Sequence, residues 1–164
     1  MAVFFIADTH FGDERILRYE NRPFADTAEM DEALIRGWND TVSPEDTVWH
    51  LGDFGADGRE ADILCKLNGH IRLVKGNHDS RSNEYYRSCG FEDVYDYPVV
   101  YDSFWMLSHE PLYVCTNMPY ANIFGHVHAN PMYRDFSRQH FCASVERIDY
   151  RPVPFEAVKA AVLG

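Results

Sequence analysis

Residues 3–10 read Val-Phe-Phe-Ile-Ala-Asp-Thr-His, in which an apolar run leads directly into Asp8 and His10. A continuous apolar run of this length predicts a strand that is buried on both faces. In an extended segment, residues two apart point the same way, so we expect Asp8 and His10 to reach into one site. A buried strand with polar residues at its end is the unit from which this fold is predicted.

The same unit recurs in the first half of the chain. Strands are predicted at 47–51 and 71–75, and each stops at a glycine. Helices are predicted between them at about 27–41, where Asp26 and Glu29 are placed to cap the first turn, and at about 59–67. A third helix is predicted at 82–89, with Gly90 as its C-terminal cap. Alternating strands and helices favour a parallel sheet whose polar strand ends converge on one crevice.

The second half of the chain is mainly strand. Apolar runs predict strands at 94–101, 104–108, 121–124, 132–136 and 141–145, and Pro154 is placed to start a final helix at about 154–162. No repeat, low-complexity tract or linker interrupts the pattern. We therefore expect residues 1–164 to form a single α/β domain.

Composition limits the partners. The 164 residues are 46% hydrophobic, which is enough for a packed core, and the formal net charge of −11 disfavours binding to long nucleic acid. No apolar stretch approaches the roughly 20 residues that span a bilayer, so no membrane partner is expected. The four cysteines form no C-x-x-C pair, which favours reduced thiols and a cytoplasmic location. The aromatic content of 15% is compatible with homo-oligomerisation.

Five polar blocks follow the predicted strands, and together they predict a metal site. They are Asp8-Thr9-His10, Gly52-Asp53, Gly76-Asn77-His78-Asp79, Ser108-His109 and Gly125-His126-Val127-His128. Carboxylate, carboxamide and imidazole groups are the ligand set of Mn, Fe, Zn or Ni. The candidate ligands exceed what one tetrahedral ion needs and suit two ions that share a bridging group. Each block alone also has an ordinary interpretation as a turn or a capping group, so the prediction depends on all five occurring in this order.

These blocks resemble those of the calcineurin-like metallophosphoesterase superfamily, which read D-x-H, G-D, G-N-H-[DE], H and G-H-x-H. The resemblance extends from Ala2 to about Glu146 and is strongest to the small, single-domain bacterial and phage phosphoesterases. The segment Asn21-Arg22-Pro23-Phe24 is also similar to that group. The resemblance implies a two-sheet β-sandwich flanked by helices, a four-layer architecture.

The resemblance also implies a role for each residue. Asp8, His10 and His128 are expected to hold one divalent transition-metal ion, and Mn²⁺ is the expected ion, with Fe, Zn and Ni as alternatives. Asn77, His109 and His126 are expected to hold a second ion, with Asp53 bridging the two. His78 is left as the catalytic histidine, and Asp79 is expected to orient its ring, with a turn-capping role for Asp79 as the alternative.

The implied function is hydrolysis of small phosphodiesters, with phosphomonoesters as a further substrate class, by a hydroxide that bridges the two ions. A nucleotide is one candidate substrate. Large Ser/Thr protein phosphatases of the superfamily continue the second block as G-D-x-x-D-R-G, whereas this chain reads Gly52-Asp53-Phe54-Gly55-Ala56-Asp57-Gly58-Arg59. That departure argues against a protein phosphatase. Two alternatives remain: a metal-containing protein-interaction module on the same scaffold, and a nuclease acting on longer DNA or RNA.

Arginines are the candidate substrate-binding residues, because a guanidinium matches the geometry of a phosphate. Arg15, Arg22, Arg81 and Arg134 are all candidates. Arg81 is preferred because it closely follows the block that contains His78.

Overall fold

A computed structural model describes residues 1–131 and 137–164. These residues form strands and helices in two sheets. The strands are β1 (Val3–Ile6), β2 (Thr47–His50), β3 (His70–Val74), β4 (Asp93–Tyr95), β5 (Val99–Tyr101), β6 (Trp105–Leu107), β7 (Ala121–Phe124), β8 (His140–Cys142) and β9 (Val153–Pro154). The helices are α1 (Glu14–Tyr19), α2 (Thr27–Asn39), α3 (Glu60–Leu64), α4 (Asn83–Cys89) and α5 (Phe155–Leu163).

The first sheet has the order β4-β3-β2-β1-β9, and the second has the order β5-β6-β7-β8. Strands β1 to β4 are parallel, and β9 joins β1 in the antiparallel sense. In the second sheet β6, β7 and β8 are parallel, while β5 pairs antiparallel with β6. The polar blocks that follow the parallel strands therefore meet at one edge of the molecule.

Strand β1 shows how the two cores arise. Phe4 and Ile6 pack in a cluster with Met30, Leu34 and Trp38 of α2, whereas Phe5 and Ala7 pack in a second cluster with residues of β6 and β7. Alternate residues of a strand face opposite sides of the sheet, so an apolar run with no polar interruption fits a strand covered on both faces. The predicted two-sheet α/β sandwich flanked by helices is confirmed.

Helix α2 begins where its capping residues predict. The Asp26 side chain accepts a hydrogen bond from the Glu29 amide at 2.9 Å, and Glu29 Oε2 accepts one from the Ala25 amide at 2.6 Å. Gly90, with φ of 128°, ends α4 as expected.

Three elements differ from the prediction. The single strand predicted at 94–101 is wrong, because it comprises β4 of one sheet and β5 of the other, separated by Asp96, Tyr97 and Pro98. Proline has no amide hydrogen to donate to a sheet, and here it stands where the chain crosses between sheets. Helix α1 and strand β9 are not predicted at all, since each is too short to produce a periodic pattern. The strand predicted at 132–136 lies outside the described residues.

Leu112, in the segment 110–120, which contains no helix or strand, contacts side chains of two strands of the second sheet. Asn122 of β7 accepts a hydrogen bond from the Leu112 amide at 2.8 Å, and His140 of β8 contacts the Leu112 carbonyl at 2.7 Å. Among the described residues, none of the helices has both the length and the apolar character that crossing a bilayer requires.

Candidate metal centre

The loops after β1 and β2 run side by side at the edge where the strands end. The Asp8 amide donates to the Gly52 carbonyl at 2.9 Å, and the His10 amide donates to the Asp53 carbonyl at 3.0 Å. The Ala7 amide donates to the Ala143 carbonyl at 2.8 Å, which joins the end of β1 to the second sheet. Residues from both sheets are therefore held within reach of one another.

A first group of ligand atoms comes from Asp8, His10 and His128, whose donor atoms lie within 4.8 Å of one another. Oδ2 of Asp8 accepts hydrogen bonds from the Ser144 hydroxyl at 2.6 Å and from the His126 amide at 2.9 Å. The other oxygen, Oδ1, is 4.0 Å from Nε2 of His128. Nδ1 of His128 faces the carboxylate of Glu146 at 3.1 Å, and a carboxylate accepts a hydrogen bond. In the neutral His128 ring the proton is therefore on Nδ1 and the free lone pair is on Nε2.

A second group comes from Asn77, His109 and His126. Oδ1 of Asn77 is 3.0 Å from both Nε2 of His109 and Nδ1 of His126, and the two ring nitrogens are 3.1 Å apart. Nδ1 of His109 is 2.8 Å from the Leu51 carbonyl, which can only accept, so in the neutral ring Nε2 carries the lone pair that faces this group.

Asp53 lies between the two groups. Its Oδ2 atom is 3.5 Å from Nε2 of His10 and 3.4 Å from Nε2 of His109. Its Oδ1 atom accepts a hydrogen bond from the His78 amide at 2.9 Å. One carboxylate oxygen therefore faces both sets of histidines, while the other fixes the loop that carries His78.

Several residues of the two groups, together with Asp53, have left-handed backbone conformations. The positive φ angles are 59° at Asp8, 48° at His10, 56° at Asp53, 68° at His126 and 48° at His128. Each such angle in a residue other than glycine costs on the order of 1–3 kcal/mol, and such residues cluster at functional sites.

Glycines permit the close packing of these loops. A Cβ atom built on Gly76 would collide with Oδ1 of Asp53, and one built on Gly125 would lie 2.5 Å from Cβ of Ala7 and 2.7 Å from Oδ2 of Asp8. Side chains at these two positions would push the carboxylates out of place.

The charges in the centre perturb one another strongly. Burial raises the pKa of Asp8 to about 6, and burial lowers the pKa of His10 to about 3. Burial also disfavours the charged forms of Asp53 and His109, but their mutual hydrogen bond and attraction outweigh it. As a result the pKa of Asp53 lies below its ordinary range and the pKa of His109 rises to about 9. A divalent cation binds the deprotonated forms of such groups, and its positive charge then offsets the repulsion between the carboxylates.

The residues present fit a metal ion. Oδ1 of Asp8 and Nε2 of His10 are buried and have no hydrogen-bond partner in residues 1–131 and 137–164. An unsatisfied buried polar atom costs about 1–3 kcal/mol. These two atoms belong to the same candidate ligand group, and a cation bound by both would remove that cost. Oxygen and nitrogen donors in this mixture suit Mn, Fe, Zn or Ni.

A cleft of about 510 Å³ adjoins the centre and is lined by His10, His78, Arg15, Arg81 and Tyr86 among others. The His78 ring is exposed and meets the His10 ring edge-on at 5.4 Å between centroids. The Arg81 guanidinium lies 5.5 Å from the centre of the Tyr85 ring. The cleft also carries several carboxylates, from Asp13, Glu14, Asp57, Glu60 and Asp79.

Asp79 has a different position from the one expected. Its Oδ2 atom accepts hydrogen bonds from the amides of Asp53 at 2.7 Å and Gly76 at 2.8 Å, and its Oδ1 atom accepts one from the Phe54 amide at 3.1 Å. Both oxygens are thus occupied by backbone amides. Asp79 therefore holds the Asp53 loop in place instead of orienting the His78 ring.

Arg22 also differs from the expectation that it could bind substrate, because its side chain is fully buried and bonded inside the protein. Arg134 lies outside the described residues. Sequence reasoning missed Glu146 and Ser144, which contact His128 and Asp8. Glu110 was also missed, and a carboxylate oxygen of this exposed residue lies within 4.8 Å of the ring nitrogens of His109 and His126. Ser144 and Glu146 reach the site through the three-dimensional approach of separate loops, which no motif spacing marks, whereas Glu110 directly follows His109 in the sequence.

The fold and the site together define a two-sheet α/β protein with a metal-binding centre at its strand ends. Residues 1–151 match the family model described as calcineurin-like phosphoesterase, and the chain belongs to that family. Membership implies metal-dependent hydrolysis of phosphoesters in small phosphorylated substrates.

Similar proteins come from an archaeon, a phage and a bacterium. An uncharacterised protein of Methanocaldococcus jannaschii is 34% identical over 165 residues, which cover 95% of this chain and 88% of that protein. The Gene 66 protein of Mycobacterium phage L5 is 34% identical over 80 residues, or 46% of this chain and 38% of that protein. The crystal structure of a protein of unknown function from Aquifex aeolicus has a TM-score of 0.75 at 24% identity, covering 97% of this chain and 98% of that one. This last similarity shows the fold alone.

Proposed function

We propose that the chain hydrolyses small phosphodiesters at a centre of two divalent metal ions, with Mn²⁺ as the working ion. The observation that carries this proposal is the position of Asp53, whose Oδ2 atom faces His10 at 3.5 Å and His109 at 3.4 Å. One carboxylate oxygen between two sets of candidate ligands is the arrangement that a pair of cations requires, because an anionic bridge offsets their repulsion.

Each ion has its own set of ligands in this proposal. Asp8, His10 and His128 hold one ion, and Asn77, His109 and His126 hold the other. Asp53 serves both. When bound, the ions supply Lewis-acid chemistry that activates water and withdraws charge from the phosphoryl oxygens.

His78 is proposed as the general acid. Its backbone amide is anchored to Oδ1 of Asp53 at 2.9 Å, while its ring is exposed in the cleft beside His10. The ring is therefore placed to donate a proton to the leaving-group oxygen of a substrate phosphate. Asp79 has an indirect part in this step. Its three hydrogen bonds to backbone amides fix the positions of the loops that carry Asp53 and His78.

Arg81 is proposed to bind the part of the substrate beyond the reacting phosphate. Its guanidinium makes no ion pair with any described residue and is supported by the face of Tyr85. Arg15, on the same cleft, is already paired with Asp13 at 3.1 Å. A cleft of about 510 Å³ is of the size that holds a small ligand such as a nucleotide diester.

The acidic residues of the cleft and the net charge of −11 favour a small substrate over long DNA or RNA. A polynucleotide would bring repeated phosphate charges against these carboxylates. We further propose that residues 1–164 act as one metallophosphoesterase domain. The four free cysteines support a cytoplasmic location for it.

The direct test compares hydrolysis of bis(p-nitrophenyl) phosphate and p-nitrophenyl phosphate after EDTA treatment and re-addition of Mn²⁺, Zn²⁺ or Ni²⁺. We expect activity to return with Mn²⁺, to favour the diester, and to be lost in Asp53→Asn and His78→Ala. Arg18→Ala is a matched control, because Arg18 is an exposed α1 residue paired only with Glu14 in the described ion pairs. Full activity in Asp53→Asn would refute the bridging role. Tight metal binding with no turnover of either ester would favour the interaction module.

A further inference from the structure

A buried ion pair lies directly behind the metal centre. The Arg22 side chain is completely buried, and its guanidinium contacts three oxygen acceptors and the Met30 sulfur. Nη1 donates to the Thr9 carbonyl at 2.8 Å, Nη2 donates to the Asp8 carbonyl at 2.6 Å, and Nε donates to Oε1 of Glu146 at 2.8 Å. One side chain therefore holds two consecutive carbonyls of the loop that carries Asp8 and His10.

Glu146 connects this pair to a third residue of the centre. Its Oε1 atom, which accepts from Arg22, also accepts from Nδ1 of His128 at 3.1 Å. This contact fixes the His128 tautomer and turns Nε2 towards Asp8. A carboxylate behind a ligand histidine orients the ring and raises its basicity.

These contacts fall on only one of the two proposed ligand groups. Through carbonyls and through His128, the pair touches the chain at Asp8, Thr9 and His128. In the second group, Nδ1 of His109 bonds to the Leu51 carbonyl and Asn77 lies in the loop held by Asp79, while the His126 amide donates to Oδ2 of Asp8 and its ring has no contact with Arg22 or Glu146 in the described hydrogen bonds.

We infer that Arg22 and Glu146 are positioning residues that set the affinity of one metal ion, the one held by Asp8, His10 and His128, and leave the other ion unaffected. The inference rests on the proposed function, because it requires two ions.

The strained backbone at Asp8 and His10 explains why the Arg22–Glu146 pair matters for these two ligands. Asp8 and His10 have φ angles of 59° and 48°, and left-handed conformations in such residues persist only when surrounding contacts enforce them. The Arg22 guanidinium bonds to the carbonyl of Asp8 and to that of Thr9, which lies between the two strained residues. Without it, relaxation of this loop would move Asp8 and His10, two of the three ligands of the first group, together.

A purely structural role is the competing explanation. Arg22 lies between α1 and α2, and Glu146 lies in a short 3-10 turn at Val145–Arg147, so the pair also ties two distant segments together. Loss of such a tie would lower the stability of the whole protein and would not distinguish between the two ions. The number of ions bound and their separate affinities therefore distinguish the two explanations.

The test is a calorimetric Mn²⁺ titration of the EDTA-treated protein. We expect two ions in the wild type. In Glu146→Gln, we expect one ion with wild-type affinity and a second weakened about 10–100-fold, the usual effect of removing a partner of a metal-ligating histidine. The double variant Arg22→Met/Glu146→Leu should show the same loss while remaining folded, because apolar replacement of a whole buried ion pair is often neutral for stability.

Two further backgrounds identify which ion is affected. In His126→Ala, which retains the Asp8 group, adding Glu146→Gln should weaken the remaining ion about 10–100-fold. In His10→Ala, which retains the His109 group, the same change should leave the remaining affinity within about twofold. Asp46→Asn is the matched control, since Asp46 binds the Ala2 and Ser43 amides at the opposite end of the strands.

Two wild-type affinities in both variants, or equal weakening of both ions, would overturn the positioning role and leave the dinuclear centre intact. Fewer than two ions in the wild type would instead refute the dinuclear proposal, and with it this inference.

Discussion

Asp8→Asn is expected to stabilise the metal-free protein while weakening its metal binding. Asp8 is fully buried, with Oδ2 bonded to Ser144 and the His126 amide and Oδ1 without a partner among the described residues. Asparagine is nearly the same size. Its amide oxygen can keep the two hydrogen bonds, and its NH₂ group can face Nε2 of His128, 4.0 Å from Oδ1 in the wild type.

The magnitude follows from the pKa of Asp8. Burial raises it from 3.8 to about 6, and one pKa unit corresponds to 1.36 kcal/mol, so the ionised carboxylate costs the folded state about 3 kcal/mol at pH 8. Because the folded pKa lies above the unfolded one, the cost is below about 1 kcal/mol at pH 4, where the folded carboxyl is protonated, and grows as the pH rises through 6. Asp8→Asn removes this pH dependence.

Urea unfolding followed by tryptophan fluorescence measures the effect between pH 4 and pH 8 in EDTA. With excess Mn²⁺ the order should reverse, since a ligand at 1,000 times its Kd adds about 4.1 kcal/mol and only the wild type binds the ion tightly. Asp46→Asn is the control, and we expect it to lower the stability of the metal-free protein instead of raising it. The reason is that hydrogen bonds from the backbone amides of Ala2 and Ser43 lower the pKa of Asp46. A metal-free Asp8→Asn protein that is less stable than wild type at pH 8, or a difference independent of pH, would refute the reasoning.

Three other substitutions test the remaining parts of the site. His78→Ala should lower kcat by roughly 10²–10⁴-fold with unchanged Mn²⁺ affinity, and a parallel loss of metal would make His78 a ligand instead of the general acid. Arg81→Ala should raise KM for a diester about tenfold with little change in kcat, because a group that binds the substrate and its transition state equally affects only KM. Arg15→Ala is the control and should change neither constant, because Arg15 is already paired with Asp13. Gly125→Ala should lower the unfolding midpoint and weaken Mn²⁺ binding, because its Cβ would lie 2.7 Å from Oδ2 of Asp8. Gly58→Ala, which meets no atom within 4 Å, should cost only about 1 kcal/mol from its φ of 94° and leave metal binding intact.

The parallel strands and the gathering of the five polar blocks could be predicted from the sequence, because both follow from local patterns. Apolar runs at 3–7, 47–51 and 71–75 correspond to β1, β2 and β3, and polar ends of parallel strands must share an edge of the sheet. The capping pair Asp26 and Glu29 likewise fixed the start of α2.

The contacts behind the ligands could not be predicted in this way. Arg22 and Glu146 are 124 residues apart, and nothing in the spacing of either residue indicates a buried ion pair. As an isolated arginine near a metal motif, Arg22 has the sequence features of a phosphate ligand. Only the packing of its loop under the site shows that its donors are already used. Asp79 is similar, since its sequence position beside His78 suggests a contact with that ring, whereas its side chain turns towards the amides of Asp53 and Phe54.

The pairing of Asp8 with His10 and of His126 with His128 was expected from extended backbone, and the structure produces these pairs by a different route. All four residues have left-handed φ angles between 48° and 68°. Between each pair stands a residue without a positive φ, so the left-handed angle recurs at every second position. Asp8 and His10 then fall in one ligand group, whereas His126 and His128 fall in different groups. Left-handed aspartate and histidine are costly, and Gly125 and Gly76 are needed to let the strained loops approach. The proposed metal ligation gives a physical reason for a chain to retain aspartate and histidine, instead of glycine, at such positions.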